Sequence, residues 1–211
     1  MRTRAVDSGD IAVRIGVFGG TFDPPHVGHL LFASDAREAL SLDRLVFVPT
    51  GMQPFKVDTP PLASATDRLE MIRLATDDDA VYTVDDTEIR QGGLSYTVNT
   101  LEHLAERYKG AQLFLLLGED SLAGFDQWRS PERIRALATL AVMRRGGREG
   151  ARDGQGVTFV SARRVDVSST EVRERLRAGK SIKGFVPESV ERFIEDRGLY
   201  RKAAASRTGK N

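Results

Sequence analysis

The fold is indicated first by residues 113–117, which read Leu-Phe-Leu-Leu-Leu and hold no polar side chain. A continuous apolar run of this kind is typical of a strand that is covered on both faces, as in a parallel sheet. Shorter apolar runs on either side predict further strands at residues 13–18, 45–48, 139–143 and 157–160. Brief strand segments are also predicted at Val81, Thr83 and residues 87–89.

Helical periodicity separates these strands. Helices are predicted from His26 or Val27 to Leu40, after the capping pair Ser64 and Asp67, and over residues 98–108, 170–178 and 187–197. Strands that alternate with helices predict an α/β fold, a Rossmann-like doubly wound parallel sheet with helices on both faces, in a single domain. Ligands of such sheets bind at the carboxyl ends of the strands, so the loops that follow strands should carry the function.

Composition and charge narrow the class of protein. The 211 residues have a mass of 23.2 kDa, which suits one domain. Lys plus Arg number 31 against 30 Asp plus Glu, and this near balance argues against a dedicated nucleic-acid binder. The chain has no cysteine, which excludes disulfides, thiolate metal sites and cysteine nucleophiles.

The two ends of the chain are predicted to lie outside the domain. Residues 1–12 are read as a flexible N-terminal extension that lacks the apolar run of a signal peptide. No stretch approaches the roughly 18 apolar residues of a membrane span, so we expect a cytoplasmic protein without membrane contact. Residues 201–211 carry four basic residues and no acidic one, and they are predicted to be a basic disordered tail. RNA binding by this tail is the alternative.

The loop after the first predicted strand carries the strongest functional signal. Residues 19–29 read Gly-Gly-Thr-Phe-Asp-Pro-Pro-His-Val-Gly-His. Glycines allow the main chain to approach a ligand closely, and the free amide groups of a helix start favour an anion. Phosphate binding is therefore the preferred interpretation of His26 and His29. A structural histidine pair and a metal site are the alternatives.

The segment His26-Val27-Gly28-His29 resembles the HxGH signature of nucleotidyltransferases, and residues 19–29 as a whole resemble bacterial nicotinate-nucleotide adenylyltransferases. The resemblance covers residues 13–200 and implies a nucleotidyltransferase domain. It implies transfer of AMP from ATP to nicotinate mononucleotide, which gives nicotinate adenine dinucleotide and pyrophosphate in NAD biosynthesis. His26 and His29 would then be catalytic residues, and ATP would be bound by Gly19, Gly20, Thr21 and Phe22.

A second motif follows the last predicted strand. Residues 167–173 read Val-Ser-Ser-Thr-Glu-Val-Arg, and hydroxyls at a helix start can either cap the helix or donate to phosphate oxygens. The motif is similar to the ISSTxIR signature of the same family. The resemblance implies that ATP is bound by Ser168, Ser169 and Thr170, and that Arg173 is a catalytic residue at the leaving pyrophosphate.

Shorter matches to the family lie between the two motifs. They imply that Gly118 and Asp120 lie beside ATP and that Trp128 stacks on the pyridine ring. The full set of implied acceptor-binding residues is Lys56, Ser95, Tyr96, Thr97, Trp128 and Arg144. Three positions depart from the family pattern without an evident reason in the sequence, namely Pro25, Asn99 and Glu119.

The resemblance also implies Mg²⁺, bound mainly through ATP phosphates and water, so no protein metal site is expected. The implied partners are ATP and nicotinate mononucleotide, and a homo-oligomer is left open. Alternatives are an adenylyltransferase for nicotinamide mononucleotide or phosphopantetheine, a cytidylyltransferase, and a nucleotide sensor without catalysis. The third histidine, His103, lies in a predicted helix among glutamates and is expected to face solvent.

Overall fold

The structure is a computed structural model that describes residues 12–54, 58–145 and 156–201. Within these residues six strands form one sheet in the order β3-β2-β1-β4-β5-β6, and every neighbouring pair is parallel. The strands are β1 Arg14–Gly20, β2 Arg44–Pro49, β3 Tyr82–Val84, β4 Gln112–Gly118, β5 Ala138–Arg145 and β6 Val157–Ala162. This order confirms the predicted doubly wound Rossmann-like sheet.

Eight α-helices connect or follow the strands in the described part of the chain. They are α1 Val27–Leu40, α2 Ala65–Thr76, α3 Thr87–Gln91, α4 Thr97–Arg107, α5 Glu119–Ala123, α6 Pro131–Leu137, α7 Ser169–Arg177 and α8 Glu188–Arg197. The predicted helix starts near His26 and Ser64 are confirmed, and Ser64 Oγ accepts from the Asp67 N–H at 3.0 Å. A 3-10 turn at Phe125–Gln127 follows α5.

Both faces of the sheet are covered, as the apolar run of β4 predicts. On one face α4 and α6 pack on the sheet through Val98, Leu101, Leu104 and Ile134. On the other face α1 and α2 contribute Ala33, Ala36, Leu40 and Ile72. A third apolar cluster joins α2 to α7 and α8 through Met71, Val172, Val190 and Ile194. Helix α7 is therefore fixed on the molecule by buried apolar contacts, away from its exposed N-terminus.

The strand order reverses between β1 and β4, and this reversal positions the site. The chain passes from β1 to β2 on one side, whereas β4 continues to β5 on the other side. The connections therefore diverge and leave a crevice at the carboxyl ends of the central strands. β1 ends there at Gly20, in the first motif, and β4 ends there at Gly118.

Two local predictions around residue 87 are wrong. Residues 87–89 were predicted as strand, but they begin α3, because Asp85 Oδ1 accepts the Thr87 N–H at 3.0 Å and the Asp86 carbonyl accepts the Arg90 N–H at 2.9 Å. His103 does not simply face solvent, since its Nε2 lies 3.1 Å from Thr87 Oγ1 and 3.5 Å from Asp85 Oδ2. The α3 turn thus gives the histidine polar partners that the spacing along α4 did not indicate.

Other predictions fall outside the described residues. They are Lys56 and nearly all of the extension 1–12 and the tail 201–211. The domain boundaries therefore stay predictions. In the described ranges, every helix is too short or too polar to cross a bilayer.

Candidate active site

A cavity of about 640 Å³ opens beyond the carboxyl ends of β1 and β2, beside the first two turns of α7. The described residues that line it are Gly20, Thr21, Phe22, Asp23, His29, Thr50, Gly51, Met52, Gln53, Thr59, Pro60, Pro61, Leu62, Ser169, Thr170, Arg173 and Arg177. The two sequence motifs, which are far apart in the chain, therefore meet at one cavity.

The first loop turns sharply after β1. Phe22 has a left-handed backbone with φ of 51°, and its ring is buried in the core, edge-on to Phe18 and Phe47. A Cβ on Gly20 would lie 2.8 Å from the Phe22 ring, so a side chain at position 20 would displace that ring. Phe22 therefore anchors the loop by burial, and the ring itself is not available to stack on a nucleotide.

The two motif histidines are in contact at the start of α1. His26 is the N-cap residue of the helix, and its backbone N–H donates to Nδ1 of His29 at 3.1 Å. The centroids of the two rings lie 3.7 Å apart. Because Nδ1 of His29 accepts this hydrogen bond, the neutral ring carries its proton on Nε2. His29 lines the cavity and thus offers a donor there, whereas His26 packs against it and is not part of the described lining.

Gly28 is required by the packing of the first histidine. A Cβ built on Gly28 would lie 2.9 Å from both Cε1 and Nδ1 of the His26 ring. Carbon atoms in real structures do not approach so closely, so any larger residue at position 28 would move the ring of His26. The glycine of the HxGH signature thus lets the two histidine rings pack closely, with an angle of 34° between their planes.

Both histidines are neutral at neutral pH in the free protein. Burial lowers the pKa of His26 from 6.5 to about 4. Burial lowers the pKa of His29 well below its usual value, and the charge of His26 adds to this effect. Neutral imidazoles approach an anion as N–H donors, and an anion placed against them would favour their protonated form.

The lowered pKa of His26 predicts a pH dependence of stability. An unfolded histidine takes up its proton near pH 6.5, whereas folded His26 does so near pH 4. The unfolded state therefore binds more protons between these values, and the free energy of unfolding falls as the pH falls from 6.5 towards 4. Over this pH range, His26 lowers the free energy of unfolding by about 3 kcal/mol.

Urea unfolding at a series of pH values measures this effect. We expect His26→Gln to remove part of the slope of stability against pH between 6.5 and 4, because glutamine does not titrate. Equal slopes for the wild type and His26→Gln would contradict the proposed burial cost.

Helix α7 brings the second motif to the cavity and ties it to the first loop. Ser168 Oγ accepts the Glu171 N–H at 3.1 Å and so caps the helix, whereas Ser169 Oγ donates to the Pro24 carbonyl at 2.8 Å. Arg173 Nη1 donates to the Asp23 carbonyl at 2.7 Å, and its Nη2 donates to Thr170 Oγ1 at 3.0 Å. The Ser168 hydroxyl thus caps the helix, and the Ser169 hydroxyl links the helix to the first loop. The guanidinium of Arg173 is held at the cavity wall.

Polar atoms that lack a partner occur at both motifs. Nδ1 of His26 and Nε of Arg173 are buried and have no hydrogen-bond partner among the described residues. Such atoms are uncommon in folded proteins and call for an explanation at each site where they occur. These two belong to residues that the sequence predicts to be catalytic, whereas the other such atoms in the described chain are Nε of Arg68, Oγ1 of Thr83 and Oε2 of Glu88.

Sequence reasoning missed two buried residues that shape the cavity. The carboxylate of Asp23 accepts from the N–H groups of Leu62 and Ala63 at 2.8 and 3.0 Å, and from the Tyr200 hydroxyl at 2.7 Å. Burial raises the pKa of Tyr200, and the neighbouring Asp23 adds to the rise. Asp23 therefore joins the first loop to residues 62–63 and to the C-terminal end of the described chain.

Arg68 is the second missed residue. It is 1% exposed, and its Nη1 and Nη2 donate to the carbonyls of Thr21 and Gly51 at 2.8 and 3.3 Å. The sequence did carry a signal, because Arg68 shares one face of α2 with Met71 and Ile72, which are both buried. An arginine on an apolar helix face needs buried acceptors, and here these are the carbonyls of two cavity loops.

Three of the predicted ATP-binding residues, Gly19, Gly118 and Asp120, lie outside the described lining of the cavity. Gly19 and Gly118 are at the carboxyl ends of the adjacent strands β1 and β4, and a Cβ on either would meet nothing within 4 Å. Packing therefore does not require glycine at these positions, and close approach of a ligand is a use for them. Asp120 is exposed in α5.

The predicted acceptor contacts also lie outside the described lining of the cavity. Tyr96 carries the Arg129 guanidinium 4.6 Å from its ring centroid, and Trp128 is half-buried with its ring 5.4 Å from that of Phe125. Arg144 lies 3.6 Å from the Phe159 ring centroid and 3.3 Å from Glu119. Glu119, a departure from the family pattern, thus gains a role as the partner of Arg144.

Ser95 and Thr97 differ in their engagement. Ser95 Oγ accepts the Gly51 N–H at 3.0 Å, whereas Thr97 is the first residue of α4 and follows the N-cap Tyr96. Asn99 is exposed on α4, which fits a position where a change from the family pattern leaves packing unaffected.

The cavity is suited to an anion. Its polar lining includes the Arg173 and Arg177 guanidiniums, the His29 donor and the hydroxyl of Thr170. Its one acidic lining residue in the described chain, Asp23, already accepts hydrogen bonds from three groups. No group of three or more His, Cys, Asp or Glu side chains in the described ranges could hold a metal ion.

Comparisons with known proteins agree with this geometry. Residues 17–175 match the model of the cytidylyltransferase-like family. A probable nicotinate-nucleotide adenylyltransferase of Gemmatimonas aurantiaca is 43% identical over 199 residues, covering 90% of this chain and 93% of its own. One of Thermus thermophilus is 42% identical over 189 residues, covering 90% of this chain and 100% of its own.

Solved structures show the same fold at low identity. Nicotinic acid mononucleotide adenylyltransferase of Plasmodium falciparum, complexed with APC, superposes with a TM-score of 0.70 at 16% identity, over 89% of this chain and 97% of that one. The fold, the two motifs at one cavity and the extent of the sequence matches lead to one conclusion: the chain belongs to the nicotinate-nucleotide adenylyltransferases of the cytidylyltransferase-like family.

Proposed function

We propose that this chain transfers AMP from ATP to nicotinate mononucleotide and releases nicotinate adenine dinucleotide and pyrophosphate, a step of NAD biosynthesis. The observation that carries this proposal is the meeting of the two motifs at one cavity. His29 from α1 and Thr170 and Arg173 from α7 supply an N–H donor, a hydroxyl and a guanidinium to the same space. The names of the curated relatives agree with this activity.

The reaction is a direct displacement at phosphorus. An oxygen of the acceptor 5′-phosphate forms a bond to the α-phosphorus of ATP, and the bond from that phosphorus to the bridging oxygen of the β-phosphate breaks. Pyrophosphate takes the electron pair and leaves. A phosphate acceptor is nucleophilic near neutral pH, so a general base is not required, and positioning and charge stabilisation do the work.

Different cavity residues stabilise the negative charge on different phosphates. Nε2–H of His29 donates to oxygens of the α-phosphate, and His26 holds the His29 ring through its N–H and through close ring packing. Arg173 stabilises the charge that grows on the leaving pyrophosphate, and Ser169 and Thr170 assist at the β- and γ-phosphates. Preorganised donors of this kind need no rearrangement as the charge develops.

Mg²⁺ fits this donor set only as an ion carried by the nucleotide. The described cavity wall holds one carboxylate, Asp23, and protein groups already engage it. Carried in with ATP, the ion would offset negative charge on the triphosphate. We therefore propose that Mg²⁺ has no dedicated protein site.

The remaining predicted residues are assigned either to the ATP-binding region or to the acceptor-binding region. We propose that Gly19, Gly20, Thr21, Ser168, Gly118 and Asp120 border ATP. The acceptor side consists of Tyr96, Thr97, Trp128 and Arg144, together with Lys56, which lies outside the described residues. Tyr96 and Trp128 are half-buried aromatic residues, which suits contact with a pyridine ring.

Product analysis tests the proposal. The protein is incubated with ATP and Mg²⁺ and with nicotinate mononucleotide, nicotinamide mononucleotide or phosphopantetheine in parallel. We expect equal amounts of nicotinate adenine dinucleotide and pyrophosphate from the first acceptor, and less product from the other two. No dinucleotide from nicotinate mononucleotide would refute the proposal.

The same assay separates the other classes. ATP binding without pyrophosphate release would indicate a nucleotide sensor, and product formed with CTP in place of ATP would indicate a cytidylyltransferase. RNA binding by the basic tail would be steeply salt-sensitive and lost on removal of residues 201–211. The cytoplasmic location and a homo-oligomer stay predictions.

A further inference from the structure

The turn after β2, residues 50–53, is held by polar contacts on both sides; we refer to it as the Gly51 turn. The Gly51 N–H donates to Ser95 Oγ at 3.0 Å, and the Gly51 carbonyl accepts from Arg68 Nη2 at 3.3 Å. The Ser95 N–H returns a hydrogen bond to the Met52 carbonyl at 2.8 Å, and Met52 forms a bridge with Leu94. The N–H and the carbonyl of Gly51 are thus both hydrogen-bonded to other parts of the chain.

Arg68 extends this set of contacts to the first loop. The same guanidinium that reaches Gly51 also donates to the Thr21 carbonyl at 2.8 Å. Because Arg68 is fully buried, the surrounding protein holds its side chain in place. The carbonyls of Thr21 and Gly51 are therefore kept at a fixed distance from each other by one planar group.

The space around Gly51 is too small for a side chain at this position. A Cβ on Gly51 would lie 2.8 Å from the Glu88 carbonyl oxygen and 3.1 Å from Ser95 Oγ. Glu88 is largely buried, and its Oε1 accepts from Thr100 Oγ1 at 2.5 Å. The main chain of the turn is thus wedged between α3 and the segment that precedes α4.

The Gly51 turn is part of the cavity wall, whereas its supports are not. Thr50, Gly51, Met52 and Gln53 all line the cavity, but Ser95 and Arg68 lie outside its described lining. Ser95 directly precedes Tyr96 and Thr97, which the proposed function places at the acceptor. A change at Ser95 can therefore reach the cavity through the main chain of the turn.

We propose that Ser95 and Arg68 are positioning residues that set the cavity wall for ATP through the Gly51 turn, and that this turn couples the acceptor segment to the ATP cavity. The inference rests on the proposed function, because it takes the cavity as the ATP site. It changes the role of Ser95 from a contact to the acceptor into a support of the opposite binding region. By reciprocity of linked equilibria, ordering of the segment by one substrate then favours the other.

Binding of Mg·ATP in the absence of any acceptor tests the inference, and titration calorimetry measures it. We expect Ser95→Ala to weaken Mg·ATP binding by about five- to tenfold, the factor that corresponds to one hydrogen bond and the loosening of its loop. The KM for ATP should rise by a similar factor, with a smaller change in kcat, because the variant keeps every group that contacts the reacting atoms.

Ser189→Ala is the matched control. Like Ser95 Oγ, Ser189 Oγ makes a hydrogen bond to the main chain, in this case as donor to the Leu74 carbonyl at 2.9 Å, but it lies in α8 away from the cavity. We expect this variant to bind Mg·ATP as the wild type does. A thermal unfolding curve for both variants checks that each is folded.

The outcomes separate this inference from the proposed function. If the wild type binds Mg·ATP and Ser95→Ala binds it equally well, Ser95 has no positioning role and the inference fails alone, whatever happens to acceptor affinity. If the wild type neither binds Mg·ATP nor forms the dinucleotide, the proposed function fails and takes the inference with it.

Discussion

Replacement of His29 by asparagine is expected to lower kcat/KM by about 10²–10³-fold while the fold and the helix cap survive. The imidazole has two separate tasks, since Nδ1 accepts the His26 N–H at 3.1 Å and Nε2–H is the donor proposed to contact the α-phosphate. The side-chain oxygen of asparagine can take over the first task but does not reach the position of Nε2. Steady-state kinetics with ATP and nicotinate mononucleotide measure the loss.

His29→Ala serves as the comparison. It removes both tasks, so it should lose as much activity and in addition about 1 kcal/mol of stability, the usual contribution of a helix cap. Urea unfolding of the two variants separates the effects. Near-wild-type turnover of His29→Asn would show that the residue is only a cap and would remove it from the catalytic set.

Replacement of Gly28 by alanine is expected to lower kcat/KM by about 10–100-fold without lowering stability. The new Cβ would lie 2.9 Å from two atoms of the His26 ring, so the ring must shift and with it the packing against His29. A displacement on the order of 1 Å in a catalytic arrangement can cost about 100-fold in rate. Alanine is a better helix former than glycine by roughly 1 kcal/mol, which supports α1.

The combination of lower activity and unchanged or higher stability is the distinctive result. Gly124→Ala provides the control, because a Cβ there would meet nothing within 4 Å and the residue lies outside the cavity lining. We expect Gly124→Ala to keep wild-type kinetics. If Gly28→Ala were as active as the wild type, the close packing of the His26 ring against the His29 ring would not matter for catalysis.

The elements that were predicted correctly have local causes. Residues 113–117 form the centre of β4 because an uninterrupted apolar run is stable only where both faces of a strand are buried. The start of α1 at Val27 and the cap by Ser64 likewise follow from residues within one turn of the helix. The motifs were recognisable for the same reason, since each is a short continuous string.

Both wrong local predictions involve the turn that begins α3. Residues 87–89 contain Thr and Ile, which favour strand by local preference, yet the Asp85 carboxylate and the Asp86 carbonyl hold them in a helical turn. His103 then gains partners from that turn. A strand preference of a few tenths of a kcal/mol per residue is easily outweighed by such hydrogen bonds, which come from residues only two and four positions away.

The sequence by itself determined the sheet, its two covered faces, the family and the two motifs, because these depend on local periodicity and on continuous strings. Only the tertiary structure decided which groups meet. Arg68 of α2 donates hydrogen bonds to the carbonyls of Thr21 and Gly51. Asp23 accepts hydrogen bonds from residues 62–63 and from Tyr200, and Ser95 accepts one from the Gly51 turn. These partners are 17 to 177 residues apart, and nothing in the local sequence encodes which buried donor will satisfy which distant acceptor.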